Sequence, residues 1–499
     1  MKNKITLLNM VSALVLQVLT MLSGFIIPKI VLVYFGSDVN GLISSLNQFL
    51  SYISLVEGGI TSVVMANLYK PLIDGDTDKL NSVISTSRYF FRKIGLVFAL
   101  YTVVLSLVYP LVFNVTFSYT YVCSLTVILS VGVMIQYMFS LTLKTLLCAD
   151  KKVYVVSITQ SVIVCLGILV AIISVKVFPS IHMIKLLCGL LYFIQPISFN
   201  HFYKKYYDIN WDEKIDNSLI KQRWNGFAIN TAAFIHECTD IALLTIFTDL
   251  KTVSVYSVYY LVINGLKSLI SSVTQGLNPT LGLAYARNNV EEIHEKLDLY
   301  EYIINLLVFY SFTTAALLIT PFVMIYTFEI NDANYYQPIF GTLLIFAEAL
   351  YLLKFPHLNL AYSANRFKEI TKPAYIEATI NIIVSICFVK KYGLIGVTFG
   401  TITAMIFRMA FHVYFTSKMV SGRRQGIFYK KIIIFGGVSL FGYFLCITLV
   451  SAPEYTIGSW LLHALVYSLI LGVLYFIITL LFFKKEYKYF VDYLKRRKK

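Results

Sequence analysis

Residues 94–143 read IGLVFALYTVVLSLVYPLVFNVTFSYTYVCSLTVILSVGVMIQYMFSLTL, an uninterrupted run without a charged side chain. Its polar break is Asn114-Val-Thr-Phe-Ser118. A helix of about 20 apolar residues crosses the ~30 Å hydrocarbon core of a bilayer, and apolar runs of that order lie on both sides of the break. Backbone polar groups inside the core must be satisfied within the chain, so helices are the expected element. The stretch predicts two membrane-spanning helices joined by a polar turn. Working outward, Val153–Val175, Tyr302–Phe328 and Ile432–Pro453 are uncharged as well. Fourteen apolar segments emerge, near 9–34, 42–68, 93–113, 121–147, 153–175, 181–202, 224–248, 253–276, 297–326, 338–362, 374–390, 397–416, 432–450 and 457–483. The chain is 58% hydrophobic and 14% charged. These features predict an all-α polytopic membrane protein of about fourteen transmembrane helices.

The cations give the orientation. Of 42 Lys and Arg residues, 33 fall at the two ends and in every second gap, while the seven alternate gaps hold four: Lys176, Lys251, Lys390 and Lys391. Cytoplasmic loops carry the Lys/Arg excess, which places both termini in the cytoplasm of a cell membrane. A net charge of +16 could suggest nucleic acid. Here the cations are dispersed over loops and form no groove-like stripe, so anionic lipid headgroups are the expected contact. The tail 484–499 interleaves eight Lys/Arg with Tyr487, Tyr489, Phe490 and Tyr493. It reads as a helix on the inner leaflet, gaining about 1 kcal/mol per basic residue near anionic lipid.

The seven cysteines are scattered without a CxxC pair and read as small packing hydrophobes. The N-terminal apolar run lacks a short h-region with a cleavage site and reads as an uncleaved first span. No gap is large enough for a soluble domain. The gap 69–92 predicts an amphipathic interfacial helix, opened by Asp74-Gly-Asp-Thr-Asp78 and carrying Leu80, Val83, Ile84 and Ser87 at helical spacing. The aspartate spacing resembles a calcium loop only superficially: its glycine is misplaced and Ser85 stands where a bidentate Glu belongs. Helix N-capping is the better reading.

A weak internal repeat accompanies these segments. Val33-Tyr-Phe-Gly-Ser-Asp38 returns as Thr245-Ile-Phe-Thr-Asp249, and Leu147-Cys-Ala-Asp-Lys151 as Tyr362-Ser-Ala-Asn-Arg366, at offsets of about 212 and 215. Matching six helices to the next six makes a parallel repeat, since six is even. The expected organisation is a six-helix lobe over 1–205, a cytoplasmic linker over 206–222, a second lobe over 223–418, helices 13 and 14 over 419–483, and a basic tail over 484–499. Two like-facing lobes point to alternating access around a central cavity.

Residues 23–93 carry a family resemblance, from Ser-Gly-Phe-Ile-Ile-Pro-Lys29 through Tyr34-Phe-Gly-Ser-Asp-Val-Asn-Gly-Leu-Ile to Tyr69-Lys-Pro-Leu and Ser87-Arg-Tyr-Phe-Phe-Arg-Lys93. So does the stretch from Asp240-Ile-Ala-Leu-Leu-Thr-Ile-Phe-Thr-Asp249 to Tyr259. Both resemble bacterial Wzx-type polysaccharide flippases, which share a superfamily with MATE exporters and lipid II flippases. The resemblance implies fourteen helices, with two six-helix lobes in a V. It also implies movement of polyprenyl-pyrophosphate-linked oligosaccharide from inner to outer leaflet for capsule or other surface polysaccharide, with polysaccharide polymerase machinery as a partner.

Ionisable groups at membrane depth are functional candidates because they are expensive there. Near mid-span lie Glu57, Glu237, Asp240, Lys267, Lys354 and Arg408, with Lys29 and Glu348 in outer portions of their spans. A cationic cavity suits a pyrophosphate, Lys as a point charge and Arg as a bidentate fork. Lys29, Lys267, Arg408 and Lys354 are therefore the expected pyrophosphate contacts. Against this stand snorkelling and ion pairs closing the lobes, for instance with Glu57 or Asp240. Pro28 and Gly24 are expected to kink or unwind the first helix beside Lys29. Lipid II flippases place basic residues in helices 1, 2 and 8, whereas helix 2 here offers Glu57. Glu57, Glu237, Asp240 and Glu348 are candidates for ion coupling or gating by H⁺ or Na⁺, with helix-to-helix hydrogen bonding as the plain alternative. Glu377 and Lys185 lie near span edges and read as solvated ends. His236, His357, His412 and His463 show no metal-ligand spacing on one face, so no metal or other cofactor is expected. No Walker-type loop offers direct drive by ATP. Membrane potential favours outward movement of an anion by about 2.3 kcal/mol per charge per 100 mV.

Two other readings compete. A MATE-like ion-coupled exporter of drugs or metabolites would favour an acidic, hydrophobic cavity, against which the five intramembrane cations count. A membrane polymerase or ligase would display catalytic Arg or His on a sizeable external loop, and the external gaps here are short.

Overall fold

The computed structural model describes residues 2–57, 59–113, 116–207, 209–211, 213, 215–216, 234, 237–287 and 289–496. Among them, twelve helices are long and apolar enough to cross a membrane, and no strand occurs. The protein is an all-α, multi-pass membrane protein. It divides into two compact units, Met1–Ser254 and Val255–Lys499.

The first unit contains α1 (Lys2–Ser51), α2 (Ile53–Glu57), α3 (Ile60–Asp74), α4 (Thr77–Val112), α5 (Tyr119–Ile135), α6 (Leu141–Ala149), α7 (Val153–Val177), α8 (Ile181–Leu190), α9 (Ile194–Tyr206) and α10 (237–247). A π-helical turn, Gln136–Ser140, joins α5 to α6. The second unit contains most of α11 (Leu250–Ala286), then α12 (Val290–Tyr326), α13 (Pro338–Leu353), α14 (Phe355–Ser363), α15 (Phe367–Tyr392), α16 (Leu394–Thr416), α17 (Gly426–Leu449), α18 (Ile457–Phe482) and α19 (Lys484–Arg496).

Helix α4 shows how the sequence is arranged for lipid. Leu100, Val104, Leu107, Val108 and Leu111 form an exposed apolar stripe. The opposite face buries Phe98, Thr102, Ser106 and Tyr109, and the Tyr109 hydroxyl donates to Ser45 Oγ at 2.8 Å. Apolar residues outside and hydroxyls inside suit a bilayer, where small polar side chains tie helices together.

Several expectations change in detail. The segment 42–68 is not one helix but the end of α1, then α2 and α3. The break in α1 falls at Gly36, whose φ of 82° suits a residue without Cβ, and helix continues through Gly24, Pro28 and Lys29. Residues 69–92 hold no separate interfacial helix. Gly75 ends α3, and Asp76 caps α4 by accepting from the Lys79 backbone N–H at 3.0 Å. Leu80, Val83 and Ile84 of α4 are then buried in the first unit's core beside Phe91, Leu146 and Phe199. Their periodicity serves protein packing, not the membrane surface. His236 and about half each of the expected linker 206–222 and the seventh span 224–248 lie outside the described residues.

In the second unit α15 packs closely along α16. Gly396 and Gly400 permit this: a Cβ on Gly400 would sit 2.0 Å from Ser385 Oγ, and one on Gly396 would sit 2.6 Å from the Phe388 backbone. Small residues four apart let backbones approach in this way. Pro356, at the start of α14, lacks the N–H that would continue α13, and the chain breaks at Lys354.

Candidate functional site

The second unit gathers three of the four cations singled out above. Lys267 comes from α11, Lys354 from the break between α13 and α14, and Arg408 from α16; all three are buried. Lys267 Nζ is 3.1 Å from Glu348 Oε2. Arg408 Nε is 3.3 Å and Lys354 Nζ 3.9 Å from opposite oxygens of Glu377. Both lysines contact the ring of Tyr351, each ammonium 4.1 Å from its centroid. A ring face attracts a cation through its quadrupole, most strongly when both are desolvated. Lys354 also reaches Met405 Sδ at 3.7 Å, and Arg408 Nε donates to His412 Nε2 at 2.7 Å.

Three cations against two carboxylates leave one positive charge in excess when all are ionised. Burying each ion costs several kcal/mol, which opposite charges offset only in good geometry with further hydrogen bonds. The Arg408 fork is not fully used: its Nη1 is buried without a hydrogen-bond partner among the described residues. The cluster can therefore offer an anion a guanidinium edge and two ammoniums that already share their carboxylates.

Glu377 corrects the sequence reading. It is 4% exposed, and it joins Lys354 and Arg408. Position along the segment suggested a solvated end, but α15 begins at Phe367, so Glu377 lies three turns inside the helix. Lys185 is half-buried on α8. Glu348 is buried and pairs with Lys267.

The remaining candidates belong to the first unit. Lys29 is half-buried on α1. Glu57 accepts from Thr61 Oγ1 and from the Tyr137 hydroxyl, each at 2.6 Å, the helix-to-helix bonding that was its plain alternative. Asp240 is buried on α10, and Glu237 on the same helix is exposed.

A second charged cluster was missed. Glu301 on α12 is fully buried and receives Arg423 Nη1 at 2.5 Å and Lys431 Nζ at 2.9 Å, with His357 Nε2 3.1 Å away. Asp298, one turn earlier, pairs with both Arg423 and Lys431. Burial opposes the charge on Arg423, but Glu301 and Asp298 outweigh it and hold the guanidinium above its ordinary range. The spacing Asp298-x-x-Glu301, one helical turn apart at the mouth of an apolar span, was the available signal. Its balanced pairing and tight geometry mark it as a tie between α12, α14 and α17.

The fold and this charged interior define a polytopic α-helical membrane protein with ion pairs at membrane depth. No family model and no curated protein matches the chain. Among solved structures, the lipid II flippase MurJ in an inward closed conformation is similar over 96% of this chain and 99% of its own, at a TM-score of 0.72 and 17% identity. An inward-facing multidrug resistance MATE family transporter of the MOP superfamily matches 80% of this chain and 94% of its own, at 0.63 and 13%. The MATE multidrug transporter DinF-BH matches 84% and 96%, at 0.59 and 14%. The chain thus has the fold shared by these flippases and transporters.

Proposed function

We propose that this protein is a flippase that moves polyprenyl-pyrophosphate-linked oligosaccharide repeat units from the inner to the outer leaflet by alternating access. The observation that carries the reading is the buried cluster of Lys267, Lys354 and Arg408 with its excess positive charge and its unused Arg408 Nη1. Those groups suit a pyrophosphate, and Lys29 is the candidate contact from the first unit. The likeness to a lipid II flippase over nearly the whole chain supports a lipid-linked substrate, and the stretches shared with Wzx-type proteins favour surface polysaccharide. In this reading the protein is a transporter of the bacterial plasma membrane with both termini cytoplasmic. It supplies a polysaccharide polymerase. Glu57, Glu237, Asp240 and Glu348 are its candidates for coupling or gating by H⁺ or Na⁺, beside drive by membrane potential. The basic helix α19 docks through Tyr489, which accepts from Lys296 of α12, and would rest on anionic lipid.

A MATE-like exporter is the second reading. It is favoured by Glu348 and Glu377, which neutralise most of the cluster, and by the MATE structures of the same fold. Proteoliposomes carrying a polyprenyl-pyrophosphate oligosaccharide separate the two. Protein-dependent exposure of the sugar on the opposite leaflet, lost in Lys29→Ala and Arg408→Ala, is the expected result. No exposure by well-folded protein, together with drug/H⁺ exchange, would turn the assignment to the exporter.

A further inference from the structure

His412 is buried beside the cationic cluster and has no part in the function proposed above. It lies on α16 with Met405 and Arg408, at spacings of three and four residues that place all three on one helix face. Its Nε2 accepts from Arg408 Nε at 2.7 Å. An imidazole nitrogen accepts only when it carries no proton, so His412 is the neutral tautomer with its hydrogen on Nδ1. The surroundings agree: the ring interacts with Arg408, Lys354 and His357, and a second proton would add a like charge among them.

A carboxylate would tether a buried guanidinium more strongly. It would also cancel the charge it held. Glu348 and Glu377 already face Lys267, Lys354 and Arg408, so a third carboxylate here would balance the three cations and leave no excess. Imidazole holds the Nε edge without that cancellation. Glu377 Oε2 lies 3.3 Å from the same nitrogen, so the edge is held by two groups. A guanidinium is planar and rigid, and fixing its Nε edge also fixes where the terminal nitrogens point. One of these is Nη1, buried without a hydrogen-bond partner among the described residues. Lys354 is held in a similar way. Besides Glu377 it meets the Tyr351 ring at 4.1 Å and Met405 Sδ at 3.7 Å, both uncharged. Met405 and His412 thus tether the two cations from either side of Arg408 along α16, and neither removes charge.

We propose that His412 is a positioning residue of the anion site, holding Arg408 in one direction by a neutral hydrogen bond so that the cluster keeps its excess positive charge. This deepens the flippase reading and rests on it for the identity of the anion.

Three substitutions test it. Gln places a neutral acceptor near the position of Nε2, Glu a charged one, and Leu none. Calorimetric titration of the full-length protein in detergent with farnesyl pyrophosphate reads the anion site. H412Q should bind as wild type does. H412L should bind roughly tenfold more weakly, the worth of one hydrogen bond to a charged group. H412E should lose about a hundredfold or more, because a charge is cancelled within a few ångströms of the anion's partners. Melting temperatures separate this role from packing. H412E should melt higher than H412L although it binds less tightly, whereas a purely structural role would move both quantities together. H412L should melt below wild type, and the same change in an R408M background should add nothing, since the tether then has nothing to hold. Should H412L fold poorly, the isosteric pair H412Q and H412E still decides. Equal binding by H412Q and H412E overturns the inference, as does an H412L that binds like wild type or destabilises R408M just as much. A wild type that binds no farnesyl pyrophosphate overturns the substrate reading itself, and the anion-site role of His412 with it.

Discussion

Replacing Glu377 by Gln keeps the shape of the side chain and removes the charge shared by Arg408 and Lys354. At 3.3 and 3.9 Å, with an effective dielectric constant of about 20, the two attractions come to about 5 and about 4 kcal/mol. The carboxylate's own desolvation offsets much of this, and breaking a buried pair costs about 3–5 kcal/mol in measured cases. A unit of this size loses about 2–4 °C of melting temperature per kcal/mol, so E377Q should melt roughly 10 °C lower, as followed by intrinsic fluorescence in detergent. The ion-pair argument makes a sharper claim about rescue. Removing Arg408, the nearer partner, in E377Q/R408M should restore most of the loss, and E377Q/K354M should restore less. An E377Q protein as stable as wild type would refute the reasoning. A double variant that is merely additive would assign the loss to packing instead of charge.

Three further outcomes follow from the same geometry. Tyr351→Leu should cost about 2–4 kcal/mol through the loss of two cation contacts with its ring, while Tyr351→Phe stays near wild type; chemical denaturation distinguishes them. Glu301→Gln should lower stability by about 3–5 kcal/mol, because Arg423, Lys431 and His357 all converge on that carboxylate, and Lys431→Met should partly reverse it in the same thermal assay. Gly400→Ala should cost at least about 1–3 kcal/mol by pushing α15 from α16, while Gly24→Ala, where nothing lies near the added methyl, should be silent in expression and melting.

Much of this architecture was legible because a bilayer imposes a simple rule: a span must be long and apolar. The hairpin of residues 94–143 became α4 and α5 with the polar break at its turn. What failed was local. The periodic Leu80, Val83 and Ile84 predicted an amphipathic helix correctly, yet hydropathy cannot distinguish a membrane surface from a protein core as the thing covered. Pro28 and Gly24 were the visible helix breakers, but helix bends where neighbours require it, and here that is Gly36. Lys267, Lys354, Arg408 and Glu348 were singled out because charge is conspicuous in apolar sequence. Glu377 read as a solvated end because its helix begins about two turns before hydropathy suggests, and Glu301 was not singled out at the start of its segment, 297–326. Pairing is a property of three-dimensional neighbours, and no spacing rule links Glu377 to both Lys354 and Arg408.

The partial neutralisation of the cluster bears on how the proposed transport would be driven. A bare set of three buried cations would hold a pyrophosphate tightly, and a carrier must release what it binds. In the proposed function Glu348 and Glu377 would supply the competing anions, so that a phosphate entering the cluster would exchange one partner for another. The excess of one positive charge also matters for voltage. A headgroup with two negative charges crossing alone gains about 4.6 kcal/mol from 100 mV, but accompanied by the cluster's single excess charge it gains about half of that. The carboxylates therefore set a balance. Each one protonated or removed would tighten the grip on the anion and cancel more of the electrical drive, which makes Glu348, paired to Lys267 beside Tyr351, the group whose protonation would most directly connect a coupling ion to the anion site.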